Sequence, residues 1–378
     1  MSVKGKTTAP VSSVGADAEQ PFADNSIISD NSEKSNDYFY EMQREMCRML
    51  DPSYLPTVSM NELYETVYQS KPPLIDGLLY PGTYLFVGAP KLGKSFFMAQ
   101  LAYHISKGLP LWDYRVRKGT VLYLALEDDY RRLQKRLFKM FETDSTDNLK
   151  FAISAKQIGN GLDDQLKGFV RDNPDTRLII IDTLQKVREV SGEKFSYASD
   201  YDVIAKLKRF TDSYGVCLLL VHHTRKQQSN DKFEMISGTT GLLGSADGVW
   251  LLQKEKRTSN NATMDIIGRD QQDQRLYLTK DMERLTWQLE KAETELWKEL
   301  PDPILDAVAA LVTEESREWL GSPTELVGIL GLDIKPNMLT MRLNVNAGRL
   351  QNEHGILYEN ERNHSGRFIK LTLNIDKA

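Results

Sequence analysis

Cysteine is nearly absent. The 378 residues carry two, Cys47 and Cys217. A pair so far apart supplies no disulfide frame, and Cys217, inside VCLLLV, reads as a small core residue of a protein in a reducing cytoplasm. Long apolar runs are also missing. No stretch approaches the ~20 apolar residues of a membrane span, and Lys4 and Lys6 are not followed by the apolar segment of a signal peptide. Neither charge is in large excess: 48 Lys and Arg stand against 53 Asp and Glu, a net charge of −5. Nothing global therefore advertises nucleic-acid binding, and any such partner must be met by local patches. What is present is 40% apolar and 27% charged. That describes a globular chain with length for two or three domains.

Residues 1–37 are rich in Ser, Asp, Asn and Ala and are expected to form a disordered tail. Residues 38–70 read as two helical pieces broken at Pro52 and Pro56. From 71 to 292 apolar runs alternate with amphipathic segments: 83–87, 120–126, 149–154, 177–182 and 216–221 as strands, and 93–107, 128–141, 163–172 and 198–214 as helices. This alternation predicts an α/β domain with a mostly parallel sheet sandwiched by helices. DGVWLLQK, TMDIIGRD, QRLYLTK and TWQLE then read as an antiparallel β extension. Residues 296–378 form a separate unit, with helices in ILDAVAALV, after Ser322-Pro-Thr-Glu325, and across NMLTMRLNVNAGRLQNEHG, then two strands in ILYENERNHSGRFIKLTL. Helices followed by a two-stranded wing suggest a winged-helix-like domain, a plain packing domain being the alternative.

The sharpest signal is GAPKLGKS, Gly88 to Ser95. It lies between an apolar strand and an amphipathic helix, the context that the G-x-x-x-x-G-K-[ST] pattern demands. Gly88 and Gly93 let the backbone turn its N–H groups toward an anion, and the helix N-terminus adds its positive end. The loop through Ala89, Pro90, Lys91, Leu92, Gly93, Lys94, Ser95 and Phe96 is expected to hold ATP. Lys94 would bridge the β- and γ-phosphates, and Ser95 would hold Mg²⁺. An ordinary glycine-rich turn is the bland alternative.

LIIID ends on Asp182, a carboxylate at the tip of an apolar strand, which suits a magnesium ion on the nucleotide. A helix cap is the other reading. Glu127 closes 120–126, the next strand after the phosphate loop, and would polarise an attacking water, a simple capping role being the alternative, with Asp128 and Asp129 as cap and first turn of the following helix. His222 and His223 end VCLLLV, placed to sense a γ-phosphate and too few for a metal site. Basic residues after Asp182 (Arg188, Lys194) and after His223 (Arg225, Lys226, Lys232) could face DNA or merely be solvated. Arg269, in IIGRDQQDQRLYL, is either an arginine supplied to a neighbouring subunit or a hairpin residue paired with Asp270 or Asp273.

SKPPLIDGLLYPGTYLFVGAPKLGKSFFMAQLA, GTVLYLALEDDYRRLQKRL, LIIIDTLQKV, LLLVHHTRK and IIGRDQQDQRLYL occur in the order seen in RecA-fold ATPases. Together they resemble the RepA-type hexameric helicases of plasmids and mobile elements, relatives of DnaB and KaiC, over residues 71–290. The resemblance implies a RecA-like fold and ATP with Mg²⁺ on Lys94, Ser95 and Asp182. It also implies catalysis by Glu127 with His222 or His223, and Arg269 reaching across a subunit interface. Lys91 departs from the small residue common at that position. The implied protein is a DNA-dependent motor, a hexameric ring on single-stranded DNA gripped by the loops after Asp182 and His223. An ATP-gated initiator, loader or regulator that binds DNA through its C-terminal domain is the second reading, and a small-molecule kinase a third.

Overall fold

Seven-residue strands that are buried end to end must pack side chains on both faces, because successive residues point opposite ways. The computed structural model shows this for β1 (Gly82–Gly88) and, apart from the half-buried Arg177 and His223, for β4 (Thr176–Asp182) and β5 (Cys217–His223). Tyr84, Phe86, Leu178, Ile180, Cys217, Leu219 and Val221 enter one core. Leu85, Val87, Ile179, Ile181, Leu218 and Leu220 enter another on the opposite face. The first core is covered by the helices Lys94–Lys107 and Tyr130–Phe141, through Phe97, Met98, Leu101, Ile105, Leu133 and Met140. The second is covered by Leu162–Asp172 and Tyr197–Tyr214, through Leu166, Val170, Leu207 and Phe210. The structure describes Arg44, Arg48, 50–68, 71–188, 197–224, 240–254, Lys256, 258–269, 271–294, 301–363 and 366–374. The expected tail 1–37, Cys47, Lys194, Arg225, Lys226, Lys232 and Asp270 lie outside the described residues.

With β2 (Thr120–Ala125), β3 (Leu149–Ala152), β6 (Gly248–Gln253), β7 (Asn261–Gly268), β8 (Gln274–Lys280) and β9 (Trp287–Thr294), the nine-stranded sheet has the order β3-β2-β4-β5-β1-β6-β7-β8-β9. β1 to β5 are mutually parallel, so their carboxyl ends share one edge. This is an α/β core, a mostly parallel sheet sandwiched by helices. β6 differs from expectation. It runs parallel to β1, pairing Tyr84 with Gly248, and the antiparallel extension begins only at β7. The physical reason is the return path: after β5 the chain comes back through the helix Thr240–Ser245, so β6 starts at the same edge as β1. β5 ends two residues later than expected, so that His222 and His223 are its last residues.

The chain divides into two units at Leu63/Tyr64, and both sheets belong to the second. Near the division, Met60–Glu65 is helical, as the second of the two N-terminal pieces was expected to be. The C-terminal sheet is antiparallel, β10 (Glu318–Gly321), β12 (Gly366–Leu373) and β11 (Ile356–Asn363) in spatial order β10-β12-β11. β10 was not expected, because EWLG is too short and too mixed to stand out as a strand. Four helices accompany it: Pro303–Ala309, Pro323–Leu330, Pro336–Val345 and Ala347–His354. The last two were read as one. They separate at Asn346, whose side chain donates to the Arg342 carbonyl at 2.8 Å, ending the first helix and starting the second. Ser322 and Glu325 form the capping box at the head of Pro323–Leu330. Among the described residues no helix is long and apolar enough to cross a membrane.

Candidate nucleotide site

β1 delivers Gly88 to the carboxyl edge, where the chain must turn sharply before the helix Lys94–Lys107. A Cβ on Gly88 would stand 2.8 Å from the Leu252 carbonyl oxygen, so no side chain fits there. Gly93 turns at φ +99°, in the left-handed region, and Lys91 shares it at φ +66°. The remaining loop residues, Ala89, Pro90 and Leu92, bridge these turns, and Ser95 and Phe96 lie in the first helical turn.

Lys94 is buried, 5% exposed. Its Nζ donates to the carbonyl oxygens of Gly88 at 2.8 Å and Ala89 at 3.0 Å, and to His223 Nδ1 at 3.0 Å. Burial pushes the ammonium down to about 8, against the upward pull of Asp182 and then Glu127. It therefore stays charged at pH 7. Burial, and then the charge on Lys94, hold the His223 imidazole below its usual value. An ammonium only donates, so Nδ1 of the neutral ring accepts. His222 falls on the opposite face of the strand and is buried.

The register explains why these groups meet. Gly88 is level with His223, Asp182 with Val221, and Ala125 with Asp182. Asp182, at the end of β4, is 6% exposed. It accepts from the Ser95 hydroxyl and, at 2.8 Å, from the phenol of Tyr123. Burial pushes its carboxyl upward, and those two hydrogen bonds oppose the shift. Glu127, two residues past β2, accepts at Oε1 from the Thr183 hydroxyl at 3.1 Å and is otherwise exposed. Asp129, rather than Asp128, caps the following helix by accepting from Arg132 N–H at 2.8 Å, while Asp128 pairs with Arg132 and Arg136. Lys94, Ser95, Asp182, Glu127 and His223 are thus brought together. A hydroxyl and a carboxylate side by side at this loop are a hard oxygen donor set that suits Mg²⁺.

Arg269 is not among them. Gly268 is level with Gly248 and Gly248 with Tyr84, four residues behind Gly88, which is roughly 13 Å along the strand. The Arg269 guanidinium donates to the Gly244 carbonyl at 2.8 Å, and its N–H to the Asp247 carbonyl at 2.9 Å. Arg188 is 6% exposed and does not offer a surface cation for DNA.

Several neighbours of the loop carry no local signature. Tyr123 is one apolar-looking residue of TVLYLA. Trp287 and Lys280 arrive from the far end of the sheet, where a Cβ on Gly93 would meet the Trp287 ring at 3.3 Å and Lys280 Nζ at 3.5 Å. Gln100 pins Trp287 there by donating to its carbonyl at 2.8 Å and accepting from its N–H at 2.7 Å. Lys280 sits 4.2 Å from the Phe96 ring centroid, and Lys254 5.3 Å from that of Trp287.

Residues 50–229 match the family profile described as "AAA domain", a segment that holds β1 to β5 and the loop. No curated protein matches the chain. Among solved structures, one described as an ATPase domain is similar at 17% identity over 56% of this chain and 85% of that one, with a TM-score of 0.46. A DnaB-like replicative helicase, solved with its interactions with primase, gives 17% identity, 70% and 74% coverage and a TM-score of 0.47. A KaiC-like protein from the hyperthermophilic archaeon Pyrococcus horikoshii OT3 gives 15% identity, 60% and 99% coverage and 0.41.

Proposed function

We propose that this chain hydrolyses ATP as a nucleic-acid-dependent motor of the RepA-like kind, acting as a ring of copies with nucleotide sites between neighbours. One observation carries the reading. Five polar groups converge at the carboxyl edge of the sheet, while the arginine that hydrolysis calls for lies roughly 13 Å away along the strands. Lys94, now folded onto the Gly88 and Ala89 carbonyls, would turn to the β- and γ-phosphates. Mg²⁺ on Ser95, Asp182 and the phosphates would neutralise charge there. Glu127 takes the proton of the attacking water as its oxygen bonds to the γ-phosphorus and the bond to the ADP oxygen breaks. His223, bonded to Lys94, is placed to register whether the γ-phosphate is present.

Arg269 then serves the neighbouring copy's site, and head-to-tail contacts that close give rings. Arg269→Ala is expected to bind ATP as the wild type does and to lose about 10³-fold in turnover. Mixing it with Lys94→Ala protein restores part of the activity, because mixed interfaces pair an intact loop with an intact arginine. A mixture as inactive as its components removes the arginine from this role.

Tyr123 is the positioning residue for Asp182. Tyr123→Phe removes one of the two side-chain donors to that carboxylate and is expected to raise the Mg²⁺ concentration for half-maximal binding of a fluorescent ATP analogue by about 10-fold. Nucleotide binding without Mg²⁺ is unaffected. An unchanged Mg²⁺ dependence removes Tyr123 from the account.

A DNA-reading wing is less favoured. The C-terminal unit has the helix and hairpin order of a winged helix, yet residues 301–374 hold ten carboxylates against seven Lys and Arg. Arg342, Arg349, Arg367 and Lys370 are engaged by Asp302, Glu353, Glu65 and Glu318. Pro336–Val345, the helix that would enter a groove, turns Met338 and Val345 outward.

A further inference from the structure

The helix Tyr130–Phe141 reads YRRLQKRLFKMF, five cations without one carboxylate, in a chain of net charge −5. Its inward side is fixed by Leu133 and Met140, both buried, with Leu137 and Phe141 packed on the same core. Residues four apart share a stripe of a helix. The outward surface therefore carries two adjacent rows: Tyr130, Gln134 and Phe138, and beside them Arg131, Lys135 and Lys139, all six exposed.

Exposed lysines on a helix ordinarily do no more than keep a protein in solution. Two features separate these. The nearby carboxylates are already engaged, Asp128 and Asp129 by Arg132 and Arg136, and Glu142 by Arg284. Arg131, Lys135 and Lys139 make no ion pair among the described residues, and their field extends to a second element. Lys280 is held below its usual value by burial, then by Lys254 and by Lys139. The second feature is aromatic. Tyr130 is 59% and Phe138 62% exposed, two large rings in water among cations. Cations that follow a phosphate backbone, with rings on which bases stack, are how proteins hold single strands without reading sequence.

We propose that the outer face of Tyr130–Phe141 binds single-stranded nucleic acid, with Arg131, Lys135 and Lys139, about 6 Å apart along the axis, on phosphates and with Tyr130 and Phe138 under bases. The proposal rests on the nucleic-acid-dependent reading above and gives the strand a contact besides the loops expected from the sequence. It also marks the opposite sign of surface from the C-terminal unit, whose cations are mostly paired.

The test uses the full chain and a labelled oligothymidylate, with affinity followed by anisotropy across a salt series. For Arg131→Gln/Lys135→Gln/Lys139→Gln the slope of log affinity against log salt is expected to fall by about 2, and affinity by about 100-fold at 0.1 M salt. Phe138→Ala weakens binding by about 10-fold and leaves the slope unchanged. Neither alters DNA-free ATP hydrolysis or the assembled mass by light scattering. Wild-type binding matched by the triple variant in affinity and slope overturns the proposal while leaving the motor reading intact. Loss of assembled mass along with affinity identifies the face as a contact between copies instead. Equal affinity for polyglutamate, insensitive to Phe138→Ala, assigns it to an acidic protein. A wild type that binds no oligonucleotide overturns both the proposal and the reading beneath it.

Discussion

Lys94→Ala is expected to abolish ATP turnover, to at least about 100-fold below the wild type, and to weaken ATP binding. The lysine is the one cation buried in the loop, and three contacts hold its ammonium against the Gly88 and Ala89 carbonyls and His223. Burial already strains its charge, holding it at about 8. A polyphosphate supplies the partner that the two carbonyls only approximate, so the interaction strengthens when nucleotide arrives. Lys94→Arg does not rescue it. The guanidinium is larger and planar, and the pocket between Gly88, Ala89 and His223 fits a compact ammonium. Binding of a fluorescent ATP analogue and phosphate release, measured on the same preparations, check both halves. Undiminished turnover in Lys94→Ala would remove the loop from the chemistry.

Glu127→Gln separates binding from hydrolysis. The amide keeps the shape and can still accept from the Thr183 hydroxyl, which holds Glu127 at 3.1 Å beside Asp182. It cannot take a proton from water. ATP binding is expected to stay within a few-fold of the wild type while turnover falls by about 10²- to 10⁴-fold. Single-turnover hydrolysis distinguishes this from slow product release, because only loss of the base slows the first turnover. Thr183→Val gives a milder version of the same defect, since it frees the carboxylate without removing it. If Glu127→Gln turns over normally, another group activates the water.

Much of this was legible because it is local. Apolar runs such as LIIID and VCLLLV can only be strands buried on two faces, and the observed split of Ile179 and Ile181 from Leu178 and Ile180 is the period of two expected of them. The proposed phosphate loop announces itself because its glycines, lysine and serine fall within the eight residues Gly88 to Ser95. Strand direction is different. VWLLQ says strand, but whether it runs with or against β1 depends on a return path through residues with no periodic signal. A break at Asn346 is equally silent, since Asn is tolerated in a helix and decides its end only through a side-chain bond to Arg342. Tyr123, Trp287 and Lys280 reach the site by sheet register and by the grip of Gln100, and no spacing along the chain encodes that. Arg269 was readable as a residue of interest, and its placement away from its own loop could come only from the pairing of β6 with β7.

Phosphate release from ATP with and without single-stranded DNA, with assembled mass followed by light scattering in the same samples, tests the central claim most directly. The account predicts turnover by a multimer of this chain, stimulated by DNA and absent in Lys94→Ala. Slow turnover indifferent to DNA, from a monomer or dimer, would contradict it and leave an ATP switch in place of a motor.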